Sequence, residues 1–154
     1  MKIVVTGGFG YLGARLSAFL SKIGHEVIIV SSSNRSLEER IQITPSKVIV
    51  GDISEVDIIE VVANEKPDAI IHLVSLDHFD SEKDPNFVAK INVLPTWSLL
   101  DACIKKGLKK FIFFSTIHTY GINQNGYINE TQKTTPTNAY GLTHALSEEI
   151  VNYY

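Results

Sequence analysis

The sequence is poor in several residue types, and each scarcity excludes a class of protein. It has one cysteine in 154 residues, so no disulfide can form within the chain, and Cys103 is expected to pack in the core. No apolar run approaches the length of a membrane-spanning helix, so the sequence predicts no membrane partner. Basic charge is not in excess, because the formal net charge is -3, so no nucleic-acid partner is predicted.

What remains is the composition of an ordinary globular protein. Hydrophobic residues make up 44% of the chain, which is enough to bury a core and excludes disorder as the main state. The length of 154 residues suits one domain. Met1 and Lys2 lead directly into apolar residues, so the sequence predicts no secretory leader and indicates a cytoplasmic enzyme or binding domain.

A glycine-rich segment near the N-terminus is the clearest functional signal in the chain. Residues 6–13 read Thr-Gly-Gly-Phe-Gly-Tyr-Leu-Gly and directly follow an apolar run at residues 3–5. After this segment, apolar residues recur at helical spacing and predict one apolar helix face, formed by Leu12, Leu16, Phe19, Leu20 and Ile23. The order of strand, glycine turn and helix is typical of a phosphate-binding segment.

The chemistry of a pyrophosphate explains why glycines suit this turn. Gly7, Gly10 and Gly13 let the turn tighten and let the backbone approach a ligand closely. The helix that follows, with Tyr11 and Leu12 in its first turn, offers N–H groups at the positive end of its dipole. We therefore predict a dinucleotide at these residues, and the alternative is a glycine-rich turn that binds no ligand.

The spacing of these glycines after a threonine resembles the extended short-chain dehydrogenase/reductase superfamily, in particular the NAD-dependent epimerase/dehydratase family that acts on nucleotide sugars. The resemblance runs from residue 3 to about residue 149. It implies an α/β fold, a doubly wound parallel (Rossmann) sheet with five strands in the order 3-2-1-4-5. It also implies an NAD(P) cofactor, a nucleotide-sugar substrate that reacts through a transient keto intermediate, and a possible homodimer.

Two segments bear on the adenosine of the cofactor. The second strand ends at Ser31, and Arg35 follows where many dinucleotide-binding proteins carry a carboxylate for the ribose. Arg35 could pair with a 2′-phosphate, which favours NADP over NAD, while serines can also contact a free ribose. By resemblance, Asp52 and Ile53 hold the adenine ring, and the alternative is that Asp52 caps a helix beginning near Ser54.

The resemblance assigns further cofactor contacts after the fourth strand. Three residues would line the diphosphate and the nicotinamide ribose: Leu73, Val74 and Ser75. Asn92 would fix the backbone near the nicotinamide, and Pro95 should kink or end the helix that contains both residues. His72 is expected to be a buried, hydrogen-bonded core residue. The acidic loop at residues 76–83 is expected to be solvated, so no metal site is predicted.

Thr116 and Tyr140 occupy the positions where the resemblance places the chemistry. Thr116 would hydrogen-bond the reacting oxygen, and Tyr140 would exchange a proton with a substrate hydroxyl beside the cofactor. His118, two residues before Tyr120, could serve as an additional acid or base. The family carries a lysine four residues after the catalytic tyrosine, on the same helix face, and this chain has His144 there.

His144 in place of the lysine is compatible with two functions. It is only partly charged near neutral pH and shorter than lysine, so it would hold the cofactor ribose imperfectly. The chain is then either a weakened NAD(P)-dependent enzyme, with Thr116, Tyr140 and His144 as catalytic residues, or a non-catalytic NAD(P)-binding or scaffolding domain. Because family members are longer, residues 1–154 are expected to be a dinucleotide-binding domain that is incomplete at its C-terminus and lacks the substrate domain. An open sheet edge would also allow completion by a partner chain.

Overall fold

The structure, a computed structural model, describes residues 1–33, 44–122 and 124–154. Its strands are β1 Lys2–Thr6, β2 Glu26–Ser31, β3 Lys47–Val50, β4 Ala69–His72 and β5 Lys110–Phe113. Its helices are α1 Tyr11–Lys22, α2 Val56–Asn64, α3 Pro85–Asn92, α4 Leu94–Ile104 and α5 Ala139–Tyr153. Two short 3-10 turns cover Asp80–Glu82 and Ile117–Tyr120.

The five strands form one parallel sheet in the order β3-β2-β1-β4-β5, which confirms the predicted α/β fold and strand order. The register pairs Thr6, the last residue of β1, with Val30 in β2 and with His72 at the end of β4. The carboxyl ends of the three central strands therefore lie level with one another. In a doubly wound sheet this edge is where a ligand binds.

The chain divides into two compact units. The first unit contains Met1–Val74 and Ser98–Phe114, and it holds the sheet together with α1, α2 and most of α4. The second unit contains Ser75–Trp97 and Ser115–Tyr154, and it holds α3, α5 and both 3-10 turns. The glycine turn thus belongs to the first unit, whereas Thr116, Tyr140 and His144 belong to the second.

Alternation of side chains along the strands builds two cores in the first unit. On one face of the sheet, Ile3 and Val5 pack in a cluster with Leu20 of α1. On the other face, Val4 and Ile70 pack in a cluster with residues of α2 and α4. Because both faces are covered, the strands read as continuous apolar runs rather than as alternating ones.

The predicted helix is present as α1, but its apolar face is buried only at Leu20 and, in part, at Leu16. Leu12, Phe19 and Ile23 are exposed, and the buried residues of this helix are Gly13, Ala14, Ser17 and Leu20. The reason is close packing, since a Cβ atom at Gly13 would lie only 2.2 Å from the carbonyl oxygen of Gly7. Small residues therefore occupy the buried side of α1 near the turn, and Leu12, Phe19 and Ile23 are left exposed.

The helix expected around Asn92 is divided in two, as Pro95 predicts. α3 ends at Asn92 and α4 begins at Leu94, because Pro95 has no N–H to donate to a carbonyl of the preceding turn. In α4, Leu99 and Cys103 are buried in the core of the first unit, and burial raises the pKa of the Cys103 thiol to about 11. The expected core position of Cys103 is thus confirmed.

Contrary to the sequence-based expectation, one stretch is long and apolar enough to cross a membrane. It is Pro85–Ile104, with a mean hydropathy of 1.3 over its most apolar window, of which 44% is buried. This finding rests on length and composition alone and is weak evidence, because a core helix passes the same test. Leu99 and Cys103 of this stretch do pack in a core.

Candidate functional site

The glycine turn of the first unit is compact because of its glycines. Gly7 has a φ of +67° and donates its N–H to the Val30 carbonyl oxygen at 2.8 Å. Gly10 in turn donates to the Gly7 carbonyl oxygen at 2.8 Å. A Cβ on Gly13 would overlap this same oxygen, so no other residue fits there without moving backbone atoms. Val74 lies beside the turn, 3.3 Å from where a Cβ of Gly7 would be.

The start of α1 presents the donors that a phosphate needs. Gly10 is its N-cap residue and provides no side-chain hydrogen bond. The N–H groups of Tyr11, Leu12 and Gly13 precede the first intrahelical bond, from Ala14 to Gly10 at 2.9 Å. Three backbone donors and the helix dipole therefore meet at this turn. This geometry fits the pyrophosphate of a dinucleotide.

His72 and Thr6 lie opposite each other at the carboxyl ends of β4 and β1, next to this turn. His72 is fully buried, and its Nδ1 lies 2.7 Å from Thr6 Oγ1. The same hydroxyl oxygen accepts the Leu73 N–H at 3.1 Å. The prediction of a buried, hydrogen-bonded core histidine is confirmed, and the bond to Leu73 fixes the backbone where β4 ends.

At the predicted adenosine end, Asp52 does not cap α2. Its Oδ1 accepts the Ser54 N–H at 2.9 Å, and the N-cap residue of α2 is Glu55, so the capping alternative is wrong. Ile53 is buried in the core of the first unit. At the end of β2, Ser31 Oγ donates to the Ser33 carbonyl oxygen at 3.0 Å. Arg35 lies outside the described residues.

Asn92 connects three segments of the second unit. Its Oδ1 accepts the Leu76 N–H at 2.8 Å, and its Nδ2 donates to Thr143 Oγ1 at 3.0 Å. Its carbonyl oxygen accepts a hydrogen bond from Ser147 Oγ at 3.0 Å. Because Asn92 is only 2% exposed, these bonds fix the loop after Ser75 against α3 and α5.

Thr116 and Tyr140 lie on two rigid elements of the second unit. Thr116 begins a 3-10 turn, and its Oγ1 accepts the His118 N–H at 3.3 Å. Tyr140 lies in the first turn of α5, with its ring centroid 5.4 Å from that of His118 and 4.3 Å from that of His144. Tyr140 is therefore flanked by two imidazoles rather than by an ammonium group.

His144 cannot supply the positive charge of a lysine. It is 2% exposed, and its Nδ1 lies 2.8 Å from the carbonyl oxygen of Tyr140. Burial lowers the pKa of His144, although the bond to this carbonyl and the Glu148 carboxylate oppose that effect in part. The imidazole is therefore neutral at neutral pH, with Nδ1 donating to the backbone.

The 3-10 turn at 117–120 and the loop that follows it line an open cavity of about 310 Å³. Thr135 ties the loop to this turn, donating its N–H to the Thr119 carbonyl oxygen at 2.9 Å and its hydroxyl to the Tyr120 carbonyl oxygen at 2.8 Å. The cavity is lined by Ile117, His118, Gly121, Ile122, Gln124, Gly126, Ile128 and Thr137. In the ranges that the structure describes, no group of three or more His, Cys, Asp or Glu residues could hold a metal ion.

Comparison with known proteins places this geometry in a family. Residues 3–154 match the model of the NAD dependent epimerase/dehydratase family. The chain belongs to this family. A UDP-glucose 4-epimerase from Rhizobium leguminosarum bv. trifolii is 32% identical over 154 residues, which are 99% of this chain and 46% of the relative. The chain thus spans about half the length of the curated relatives it matches.

Solved structures of other proteins share the fold. The UDP-glucose 4-epimerase of Thermotoga maritima, solved with UDP-glucose, superposes with a TM-score of 0.89 at 29% identity, covering 99% of this chain and 50% of that one. MoeE5, solved in complex with UDP-glucose and NAD, superposes with a TM-score of 0.84 at 25% identity, covering 97% and 48%. The resemblance inferred from the glycine spacing is therefore confirmed.

Sequence reasoning missed Asn138 and Thr143. Asn138 is the N-cap residue of α5 and bonds both Gly141 and His118, while Thr143 receives the Asn92 amide. An asparagine directly before a predicted helix is a recognisable capping signal. Nothing in the sequence indicates the partner of Thr143, because Asn92 lies 51 residues away.

Proposed function

We propose that the chain is the cofactor-binding and catalytic part of an NAD(P)-dependent enzyme that acts on a nucleotide-activated sugar. The glycine turn carries this proposal, because Gly13 admits no side chain and three backbone N–H groups of α1 lack intrahelical acceptors. Family membership supports an epimerase or dehydratase activity. The UDP-glucose 4-epimerases among its relatives support a nucleotide sugar as the substrate.

The proposed chemistry passes through a transient keto sugar. Oxidising a sugar hydroxyl removes a proton from its oxygen and a hydride from its carbon, and bound NAD(P) supplies the hydride acceptor. Tyr140 would take the proton and later return it, while Thr116 would hydrogen-bond the same oxygen. Ser75 would line the nicotinamide ribose with Leu73 and Val74, and Asn92 would hold the loop near the nicotinamide. This loop is fixed by the bond from Leu76 to Asn92.

For the adenosine, we propose a preference for NADP. Residues 31–34 read Ser-Ser-Ser-Asn and include no carboxylate that would repel a 2′-phosphate. Ser31 could accept or donate a hydrogen bond there, and Arg35 could pair with the phosphate. Asp52 is exposed and Ile53 is buried, so adenine would meet the carboxylate and the backbone of residue 53.

We also propose that the chain is a dinucleotide-binding domain that works with a substrate domain. β5 is an edge strand of the described sheet, and Ile112 and Phe114 are each 44% exposed there. Further chain packed beside β5 would pair its open edge and shield these side chains. A cytoplasmic location remains a prediction.

One observation favours a second function, a non-catalytic NAD(P)-binding domain. A tyrosine ordinarily loses its proton near pH 10, and a general base working near neutral pH needs a neighbouring positive charge. His144 is neutral and bonded to the backbone of Tyr140, so it does not supply that charge.

The substitution His144→Lys separates the two functions. If the protein is a weakened enzyme, the lysine should raise turnover of UDP-glucose or dTDP-glucose by about tenfold, the gain expected from about 1.4 kcal/mol of added stabilisation of a tyrosinate. Tyr140→Phe should abolish turnover in either background. The assay is made with the substrate domain present, and if no nucleotide sugar is then turned over by the wild type or by the lysine variant, the enzyme proposal is wrong and the non-catalytic function is favoured.

A further inference from the structure

The side chain of Asn138 makes two hydrogen bonds, one to a backbone N–H and one to a histidine ring. Its Oδ1 accepts the Gly141 N–H at 2.7 Å, which caps α5. Its Nδ2 lies 3.0 Å from Nδ1 of His118. Within residues 1–33, 44–122 and 124–154, the ring of His118 has Asn138 as its hydrogen-bond partner.

The bond between Asn138 and Gly141 determines the direction of the bond between Asn138 and His118. A backbone N–H can only donate, so the side-chain atom facing Gly141 must be the amide oxygen of Asn138. The other end of the amide is then the NH₂ group, which can only donate to His118. His118 Nδ1 must therefore accept, and a neutral imidazole with a lone pair on Nδ1 carries its proton on Nε2.

We infer that Asn138 is a positioning residue that holds His118 in the Nε2–H tautomer. His118 lines the cavity of the second unit, and this tautomer gives the ring a hydrogen-bond donor for an acceptor oxygen of a ligand there. This inference rests on the proposed function for the class of ligand, a sugar hydroxyl or a nucleotide-sugar oxygen. The tautomer itself follows from the hydrogen bonds alone.

Hydrogen bonds fix the backbone of His118 and therefore limit the positions that its ring can take. The carbonyl oxygen of His118 accepts the Gly121 N–H at 3.1 Å, and its N–H donates to Thr116. A Cβ atom on Gly141 would lie 2.4 Å from this carbonyl oxygen, so α5 packs directly on the turn. Asn138 therefore bonds His118 where α5 packs on the 3-10 turn, and this packing leaves no room for a side chain at Gly141.

The other histidine beside Tyr140 is held in the opposite tautomer. A carbonyl oxygen can only accept, so His144 Nδ1, facing the Tyr140 carbonyl, carries a proton. The two imidazoles next to Tyr140 therefore differ: His118 has its proton on Nε2, and His144 has one on Nδ1.

The competing explanation is that Asn138 only caps α5. Two variants separate the roles, because aspartate and serine are both good N-cap residues. Asn138→Asp retains the acceptor for Gly141 but presents a second acceptor to His118, which favours a proton on Nδ1. Asn138→Ser retains the cap and removes the amide donor without adding charge. Both variants should keep the thermal unfolding midpoint of the wild type.

The deciding measurement is long-range ¹H–¹⁵N NMR of the histidine side chains in ¹⁵N-labelled protein near pH 8, with His118→Gln to assign the signals. We expect an Nε2–H pattern for His118 in the wild type, a protonated Nδ1 in Asn138→Asp, and a mixture of tautomers in Asn138→Ser. A wild-type Nδ1–H pattern, or an Nε2–H pattern that persists unchanged in both variants, would overturn the inference.

Ligand binding gives a second readout. Affinity for UDP-glucose, measured by calorimetry, should fall about tenfold in Asn138→Asp, as expected for the loss of one hydrogen-bond donor. If UDP-glucose fails to bind to the wild type, the proposed role of His118 as a ligand donor in this chain is wrong, while the NMR result still decides the tautomer. If the tautomer changes in the variant and the affinity does not, the proposed role of His118 as a ligand donor is wrong.

Discussion

His144 is the single residue whose environment bears most on the chemistry of Tyr140. Burial and the bond to the Tyr140 carbonyl make it a neutral donor to the backbone, whereas a lysine there would carry a charge. The substitution is visible in the sequence. The protonation state is not, because it depends on burial and on which ring nitrogen faces the backbone.

The lowered pKa of His144 predicts a pH dependence of stability. As pH falls below the ordinary value near 6.5, the unfolded chain binds a proton at this histidine more fully than the folded chain does, because the pKa of His144 is lowered in the folded protein. The contribution of His144 to the free energy of unfolding is therefore fully present above pH 6.5. It is lost as pH falls from 6.5 towards the lower pKa of the folded protein, and the free energy of unfolding then falls by up to about 1.4 kcal/mol per pH unit. Urea unfolding between pH 7.5 and pH 5.5 should show a smaller loss in His144→Gln than in the wild type.

The matched control is Asn152→Gln, which changes an exposed position of α5 and removes no titratable group. It should retain the wild-type pH dependence. Equal slopes for the wild type and His144→Gln would show that His144 titrates normally in the folded protein.

The glycine turn is the element with the strictest steric requirement. A Cβ at Gly13 would lie 2.2 Å from the Gly7 oxygen and 2.7 Å from the Gly8 Cα, whereas a Cβ at Gly10 would lie 3.2 Å from the Gly7 oxygen. We expect Gly13→Ala to reduce the free energy of unfolding by about 2 to 3 kcal/mol, and Gly10→Ala by less than about 1 kcal/mol. Urea denaturation measures both, and equal costs would contradict the described turn.

The sequence predicts the order of strands and helices better than it predicts which face of a helix is buried. The strand order and the glycine turn follow from apolar runs and glycine spacing. The exposed side of α1 does not, because the contact between Gly13 and Gly7 turns small residues towards the sheet and leaves Leu12 and Phe19 outside. Long-range hydrogen bonds such as Asn92 to Thr143 are equally invisible, since their partners are distant in sequence.

For the whole molecule, exposed leucines of α5 bear on the expected homodimer. Leu142 and Leu146 lie one turn apart and are 49% and 47% exposed. If they pack against a second copy, Leu146→Glu should weaken dimerisation at least tenfold, because burying one leucine contributes about 1.5 to 3 kcal/mol. Sedimentation velocity measures this effect, with Phe19→Glu on α1 as the control. A monomeric wild type at high concentration would contradict the dimer.

We propose that the glycine turn binds a dinucleotide, and calorimetric titration with NAD and NADP tests this claim most directly. The wild type should bind both, with NADP the tighter, and Gly10→Ala should fold normally but bind at least tenfold more weakly, since its methyl group would stand beside the helix N–H donors. Absence of binding by a folded wild-type protein, or equal affinities of the wild type and Gly10→Ala, would contradict the claim.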